Sequence, residues 1–248
     1  MMTMTRGIYI QGCARSGNTL IRELCGSAFR SVELVKLTKD TAECSLAHLV
    51  ELLRQPAAGV TQNGKPAGPP PPTAASAPVR VASRNYENSL AMDRELLRAN
   101  PEVKVLWMLR DPRDILTSIH ANQPDKYYVP PDRLIKSLQL YLQFKDEPQV
   151  LAVRYEELVG NPDAMQTRIS QAFGLAESRK FVEAYKFFPR FHENVRAMHS
   201  IRPIDTNSVQ KWRSNPAHQK HLQEILAGHP EILALSRDCG YDLSPAGA

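Results

Sequence analysis

The sequence predicts an α/β fold of three layers, a central parallel sheet flanked by helices on both faces. Two observations carry that expectation. Short apolar runs of strand character alternate with stretches of helical period, and the run VKVLWML (103–109) is too continuously apolar for a half-exposed strand. Strands that alternate with helices imply right-handed crossovers and a sheet covered on both sides. The chain has 248 residues, and at roughly 150 per domain one domain over 1–248 is the simpler reading.

Residues 7–11 (GIYIQ) read as the first strand, and Leu20, Ile21, Leu24, Cys25 and Phe29 recur at helical spacing over 19–29. SVELVKL (31–37) reads as a second strand. Ala42, Leu46, Leu49, Val50 and Leu53 mark one side of a helix over 41–54. Residues 55–78 hold seven of the 19 prolines without an apolar period. That composition predicts a flexible Pro-rich insertion on the surface, either a tolerated excursion or a substrate lid.

PVRVAS (78–83) is the third strand, and a helix over 87–99 stops at Asn100-Pro101 because the residue before proline is driven out of helical conformation. After the buried strand 103–109, Asp111 caps a helix with Pro112 at its first position. A longer helix over 132–145 turns Leu134, Ile135, Leu138, Leu142 and Phe144 inward. VLAVRY (150–155) is the next strand, and Pro162 opens a helix that Gly174 ends. From 177 onward the chain reads as helices with one loop near 189–207.

Composition narrows the function. A hydrophobic content of 42% with 23% charged residues excludes disorder throughout. The net charge of +5 favours anionic ligands but lacks the basic blocks of a chromatin protein, and no aromatic-basic interleaving points to nucleic acid. Cys13, Cys25, Cys44 and Cys239 form no C-x-x-C pair, which makes a zinc ribbon or a disulfide scaffold unexpected and a reducing cytoplasm the expected location. The opening MMTMTRGIYIQG has no apolar core of signal-peptide length, and no run is long enough to cross a bilayer, so neither export nor a membrane partner is expected.

Two clusters carry chemistry. Gly12-Cys-Ala-Arg15-Ser16-Gly17-Asn18-Thr19 has the G-x-x-x-x-G frame of a phosphate loop, with Asn18 where a nucleotide triphosphatase needs lysine. A strand feeding a tight loop and a helix aims backbone N–H groups at one point, which suits a phosphate or a sulfonate. The second cluster, Arg110-Asp-Pro-Arg113-Asp114-Ile-Leu-Thr-Ser118, begins at the end of the strongest strand. Its arginine offers a planar fork of donors and its serine a hydroxyl eight positions later. Both clusters fall at carboxyl ends of parallel strands, where open α/β sheets bind ligands.

CARSGNTLIREL resembles the 5′-phosphosulfate loop of sulfotransferases that use 3′-phosphoadenosine 5′-phosphosulfate (PAPS), and LRDPRDILTS is similar to their 3′-phosphate motif. VLAVRYEELVGNPDAMQTRISQAFGL, SVQKWR and CGYDL resemble three later segments of that family, in the family's order, so the likeness spans residues 7–242. The resemblance implies the P-loop kinase-like sulfotransferase fold, with PAPS as donor and adenosine 3′,5′-bisphosphate (PAP) as product; the histidines lack metal-ligand spacing tied to an acidic partner, so no metal is expected. The resemblance also implies that Arg15 holds the transferring sulfonate and the bridging oxygen, while Ser16, Gly17, Asn18, Thr19 and Leu20 wrap the 5′-phosphate. Arg110 and Ser118 are expected on the 3′-phosphate, Tyr155 near the adenine, and Lys211, Trp212 and Arg213 in a segment that closes over the nucleotide.

Many relatives carry a K-x-H segment at the stretch that here reads Val81-Ala82-Ser83-Arg84-Asn85-Tyr86-Glu87, so the family histidine is missing. In carbohydrate-modifying relatives a carboxylate after the second strand serves as base, which makes Asp40 the candidate here, with a helix N-cap before Thr41 as its competing explanation. The acceptor stays open between a small molecule and a glycan. Tyr127, Tyr128, Phe188 and Phe191 suit an apolar site, whereas Lys126, Arg190 and Arg196 suit an acidic glycan. Two other functions remain open: a nucleotide or nucleoside kinase, for which Asp111 would offer a magnesium ligand, and a noncatalytic nucleotide-binding protein. The sequence assigns no oligomeric state.

Overall fold

Alternation of apolar strands and amphipathic helices produces the layers expected of it. The computed structural model describes residues 4–35, 46–54, 78–83, 92–120, 123–188 and 201–243. Asp40, Arg84, Phe191, Arg190, Arg196, residues 55–77 of the Pro-rich insertion and most of the 189–207 loop lie outside them.

In chain order the elements are β1 (Gly7–Gly12), α1 (Asn18–Ala28), β2 (Val32–Leu34), α2 (Leu46–Arg54), β3 (Val79–Ser83), α3 (Arg94–Ala99) and β4 (Val103–Leu109). Then come α4 (Pro112–Leu116), β5 (Ile119–His120), β6 (Gln123–Tyr127), α5 (Pro131–Phe144), β7 (Val150–Arg154), α6 (Tyr155–Gly160) and α7 (Pro162–Phe173). The chain continues through α8 (Phe181–Ala184), α9 (Pro216–Gly228) and α10 (Glu231–Asp238).

The central sheet has the order β2-β3-β1-β4-β7 with every pairing parallel. The chain moves from β1 outward to β2, returns through β3, and crosses β1 to reach β4. That reversal opens a crevice at the carboxyl ends of β1 and β4, where ligands of such sheets bind. Strand alternation turns Ile8, Ile10, Leu106 and Met108 toward α1, α6 and α7, and turns Tyr9, Val105 and Trp107 toward α2, α5 and α10. Trp107 is 1% exposed and packs against Tyr141 at 5.6 Å and Phe144 at 6.4 Å. Burying a side chain of this kind is worth about 1.5–3 kcal/mol.

Local signals explain where elements begin and end. Asp111 accepts the N–H of Arg113 at 2.8 Å and caps α4, with Pro112 in the first turn as expected. Gly174 ends α7 in the left-handed conformation. The helix expected over 87–99 starts only at Arg94 within the described residues, because the Asp93 carboxylate accepts the N–H of Leu96 at 2.9 Å and closes the helix there. The strand expected to reach 155 stops at Arg154, and Tyr155 already opens α6. The antiparallel hairpin β5–β6 forms in a stretch to which the sequence assigned no element.

Candidate active site

The phosphate loop is built from two glycines that no other residue replaces without strain. Gly12 has φ 146° and Gly17 φ 100°, both in the left-handed half of backbone space. A Cβ on Gly12 would lie 2.5 Å from the Met108 carbonyl oxygen, and one on Gly17 would lie 2.7 Å from the Tyr155 ring. Neighbouring chain therefore passes directly against the loop. Between the glycines, Arg15 also takes a positive φ of 70°.

Two side chains expected on the 5′-phosphate turn inward instead. Asn18 Nδ2 donates to the Gly12 and Cys13 carbonyls, each at 3.2 Å, so the amide ties the two ends of the loop together. Ser16 is fully buried, and both its N–H and its hydroxyl donate to the Cys13 carbonyl, at 3.2 and 2.6 Å. The backbone N–H groups of Asn18, Thr19 and Leu20 stand at the start of α1, where no side chain caps the helix. The first intrahelical partner in this turn belongs to Ile21, which donates to the Gly17 carbonyl at 3.1 Å. An uncapped N-terminus of this kind offers donors and the positive end of the helix dipole to an anion.

The second cluster folds onto the first. Arg15 Nε donates to Ser118 Oγ at 2.6 Å, and Arg110 Nη1 donates to the Arg15 carbonyl at 2.8 Å. Arg110 Nη2 donates to the Ser208 carbonyl, while its buried Nε has no partner among the described residues. The Arg110 guanidinium lies 4.4 Å over the Tyr155 ring. Tyr155 is 9% exposed, held between Arg110 and Gly17. Burial, and then the charge of Arg110, push the Arg15 guanidinium below its ordinary value. The Arg110 charge disfavours the Arg15 cation, and an anion bound beside Arg15 would relieve that repulsion.

The remaining charges of the motif are internally paired. Arg113 forms a two-pronged contact with Asp111 through Nε and Nη2, at 3.0 and 2.8 Å. Glu156 Oε1 accepts the Asp111 N–H at 2.8 Å and Oε2 accepts the Tyr241 hydroxyl at 3.0 Å, which pins the closing G-Y turn behind the site. Asp111, the ligand that a magnesium-dependent kinase would require, is thereby engaged as a cap and an ion pair.

Lys211, Trp212 and Arg213 form a 3-10 turn, and Trp212 stacks on Arg113 at 4.5 Å from the ring centroid, with its indole N–H buried and without a partner among the described residues. Tyr128 lies beside the loop, its ring 5.8 Å from the Arg15 guanidinium and 5.9 Å from that of Arg133. Phe188, one of the residues suggested for an apolar acceptor site, is instead 6% exposed in the hydrophobic core with α1 and α8. Its apolar ring serves packing there. The sequence did not single out the pairing of Tyr127 with His218, at 3.0 Å between hydroxyl and Nδ1, or its stacking on His221. The i, i+3 spacing of the two histidines on one helix face was the available signal.

Residues 7–179 match a family model described as the sulfotransferase family. The fold is similar to the sulfotransferase domain of the Synechococcus PCC 7002 olefin synthase, with 18% identity, 97% of each chain covered and a TM-score of 0.55. It is also similar to mouse sulfotransferase SULT7A1 complexed with PAP, with 12% identity over 90% of this chain and 83% of that one, and a TM-score of 0.52. The sulfotransferase domain from the curacin biosynthetic pathway gives 15% identity, coverage of 93% and 99%, and a TM-score of 0.50. No curated protein matches the sequence. No helix among the described residues is long and apolar enough to cross a membrane.

Proposed function

The chain belongs to the sulfotransferase family, and from that premise we propose that it moves a sulfuryl group from PAPS to a hydroxyl or amine of a small-molecule or glycan acceptor. The observation that carries this reading is the convergence of Arg15, Arg110 and Ser118 beside an uncapped helix start, with one buried donor of Arg110 unpartnered among the described residues. The PAP complex of the mouse structure supports the same nucleotide. Family membership makes the chain an enzyme of the transferase class. Its four cysteines are scattered and form no C-x-x-C pair, which supports a reducing, cytoplasmic location.

The donor supplies an activated sulfuryl group: as an acceptor oxygen or nitrogen bonds to sulfur, the bond from sulfur to the phosphate oxygen breaks, that oxygen keeps the electron pair, and the acceptor proton passes to a base. Arg15 stays charged at neutral pH and stabilises negative charge on the departing oxygen more than it does the ground state. The N–H groups of Gly17, Asn18, Thr19 and Leu20 would hold the 5′-phosphate, with the side chains of Ser16 and Asn18 keeping the loop in shape. Arg110 and Ser118 would bind the 3′-phosphate, while Tyr155 supports Arg110 and Gly17 at the nucleotide. Lys211, Trp212 and Arg213 would close over it. Asp40 is the proposed base.

Incubation with sulfur-labelled PAPS and a panel of phenols, alcohols, amines and glycans tests the proposal. Label should reach an acceptor at a rate that Arg15→Ala and Asp40→Asn reduce. Tight nucleotide binding without transfer to any acceptor class would favour a noncatalytic role.

A further inference from the structure

Arg110 and Asp114, four positions apart at the corner between β4 and α4, hold one distant segment. Asp114 Oδ2 accepts the N–H of Gln210 at 2.8 Å across 96 positions. Arg110 Nη2 donates to the carbonyl of Ser208. Between these contacts Gln210 sits at φ 58°, a left-handed conformation that ordinary side chains avoid without compensation. Gln210 leads directly into the turn Lys211–Ser214, whose Trp212 lies on Arg113 of α4.

Asp114 is an unusual choice for a merely structural corner. Its side chain is 1% exposed, it stands 3.9 Å from Arg110, and its Oδ1 has no hydrogen-bond partner among the described residues. Burying a carboxylate with one oxygen unsatisfied costs stability. The carboxylate contacts both Arg110 and the N–H of Gln210 in the distant segment.

We propose that Asp114 is a positioning residue that docks Ser208–Arg213 onto Arg110, so that 3′-phosphate recognition and closure of the Lys211–Arg213 turn are coupled. Arg110 links three parts through its planar fork: the phosphate loop at the Arg15 carbonyl, the docked segment at Ser208, and the open donor Nε. Asp114 fixes the direction of the segment by holding the one N–H that only the left-handed Gln210 presents to it. Without that bond Gln210 relaxes, and Lys211 and Arg213 no longer approach the nucleotide together. The inference rests on the reading of Arg110 as a 3′-phosphate ligand.

Titration calorimetry with PAP and with 5′-ADP on the full chain tests it, together with the ligand-induced change in Trp212 emission, assigned by subtraction of Trp212→Phe. Asp114→Ala and Gln210→Val should each weaken PAP by about tenfold, the loss of one charge-assisted hydrogen bond. They should remove the Trp212 response and leave 5′-ADP within about twofold. Gln210→Gly, which adopts the left-handed conformation freely, should bind like the parent. The double variant Asp114→Ala, Gln210→Val should lose no more than either single change, because both break one contact.

Equal losses for PAP and 5′-ADP, or parental PAP binding by Gln210→Val, overturn the coupling. Gln210 is exposed, so that variant decides even if Asp114→Ala does not fold. Arg110→Ala separates the two readings. If it loses PAP selectively while the other variants do not, only the coupling fails; if it does not discriminate the nucleotides, the 3′-phosphate reading fails and takes the coupling with it.

Discussion

Arg15 Nε donates to Ser118 Oγ at 2.6 Å although 103 positions separate the two residues. One belongs to the loop after β1 and the other to the turn after α4. Their contact brings the loop cation and the second anion motif to a single point. Under the proposed assignment the guanidinium serves the transferring sulfonate and the hydroxyl the 3′-phosphate, so nucleotide binding would replace this contact.

Arg15→Ala should therefore lower kcat more than nucleotide affinity. Loss of a donor aimed at developing charge typically costs about 100- to 1,000-fold in rate. Arg15→Lys should recover part of that, because it restores the charge without the planar fork. Steady-state rates set beside PAP dissociation constants check both, and a loss confined to affinity would remove Arg15 from the chemistry.

Arg110→Ala should weaken PAP by about 1.5–3 kcal/mol, the value of a charged hydrogen bond, and leave 5′-ADP nearly unchanged. Ser118→Ala should cost PAP about 0.5–1.5 kcal/mol. Competition binding against both nucleotides measures the difference directly.

Gly17→Ala should impair both folding and binding. The new Cβ meets the Tyr155 ring at 2.7 Å with the backbone at φ 100°, and overpacking of this kind destabilises by about 1–3 kcal/mol. Thermal unfolding of Gly17→Ala, Tyr155→Leu and the double variant should show non-additive losses, because the two residues touch.

Acid should loosen the contact between the β5–β6 hairpin and α9. Burial holds the His218 and His221 imidazoles below their ordinary value of 6.5. Below pH 6.5 the unfolded chain thus binds more protons at these sites than the folded one does, so stability rises with pH there and is lost as pH falls through 6.5 toward the depressed folded values. His218→Gln should flatten the dependence of the melting temperature on pH in that window. An unchanged slope would show that other groups govern it.

Much of the fold was legible because its signals are local. VKVLWML is continuously apolar and becomes the buried β4, Asp111-Pro112 starts α4, and Gly174 stops α7. The phosphate-loop frame was legible where geometry constrains the backbone: Gly12 and Gly17 must be glycine, and Arg110 and Ser118 flank α4. What stayed hidden depends on distant partners. Nothing near Asn18 shows that its amide closes the loop, since the Gly12 and Cys13 carbonyls accept it only once the loop is formed. Nothing near Asp114 announces Gln210, 96 positions later. The β6 strand QPDKY lacks apolar alternation and contains proline, so only its pairing with β5 reveals it. Phe188 looked like a site residue because an aromatic beside a basic loop suits either a pocket or a core.

The most direct test of the central claim, that this site recognises a 3′,5′-bisphosphorylated adenosine, is thermal unfolding with PAP set beside 5′-ADP, each with and without magnesium. At 100 times its dissociation constant a ligand adds about 2.7 kcal/mol, which raises the midpoint of a protein this size by several degrees. Stabilisation by PAP alone, with no need for magnesium, is the predicted result. Equal or greater stabilisation by 5′-ADP with magnesium would contradict it and point to phosphoryl transfer instead.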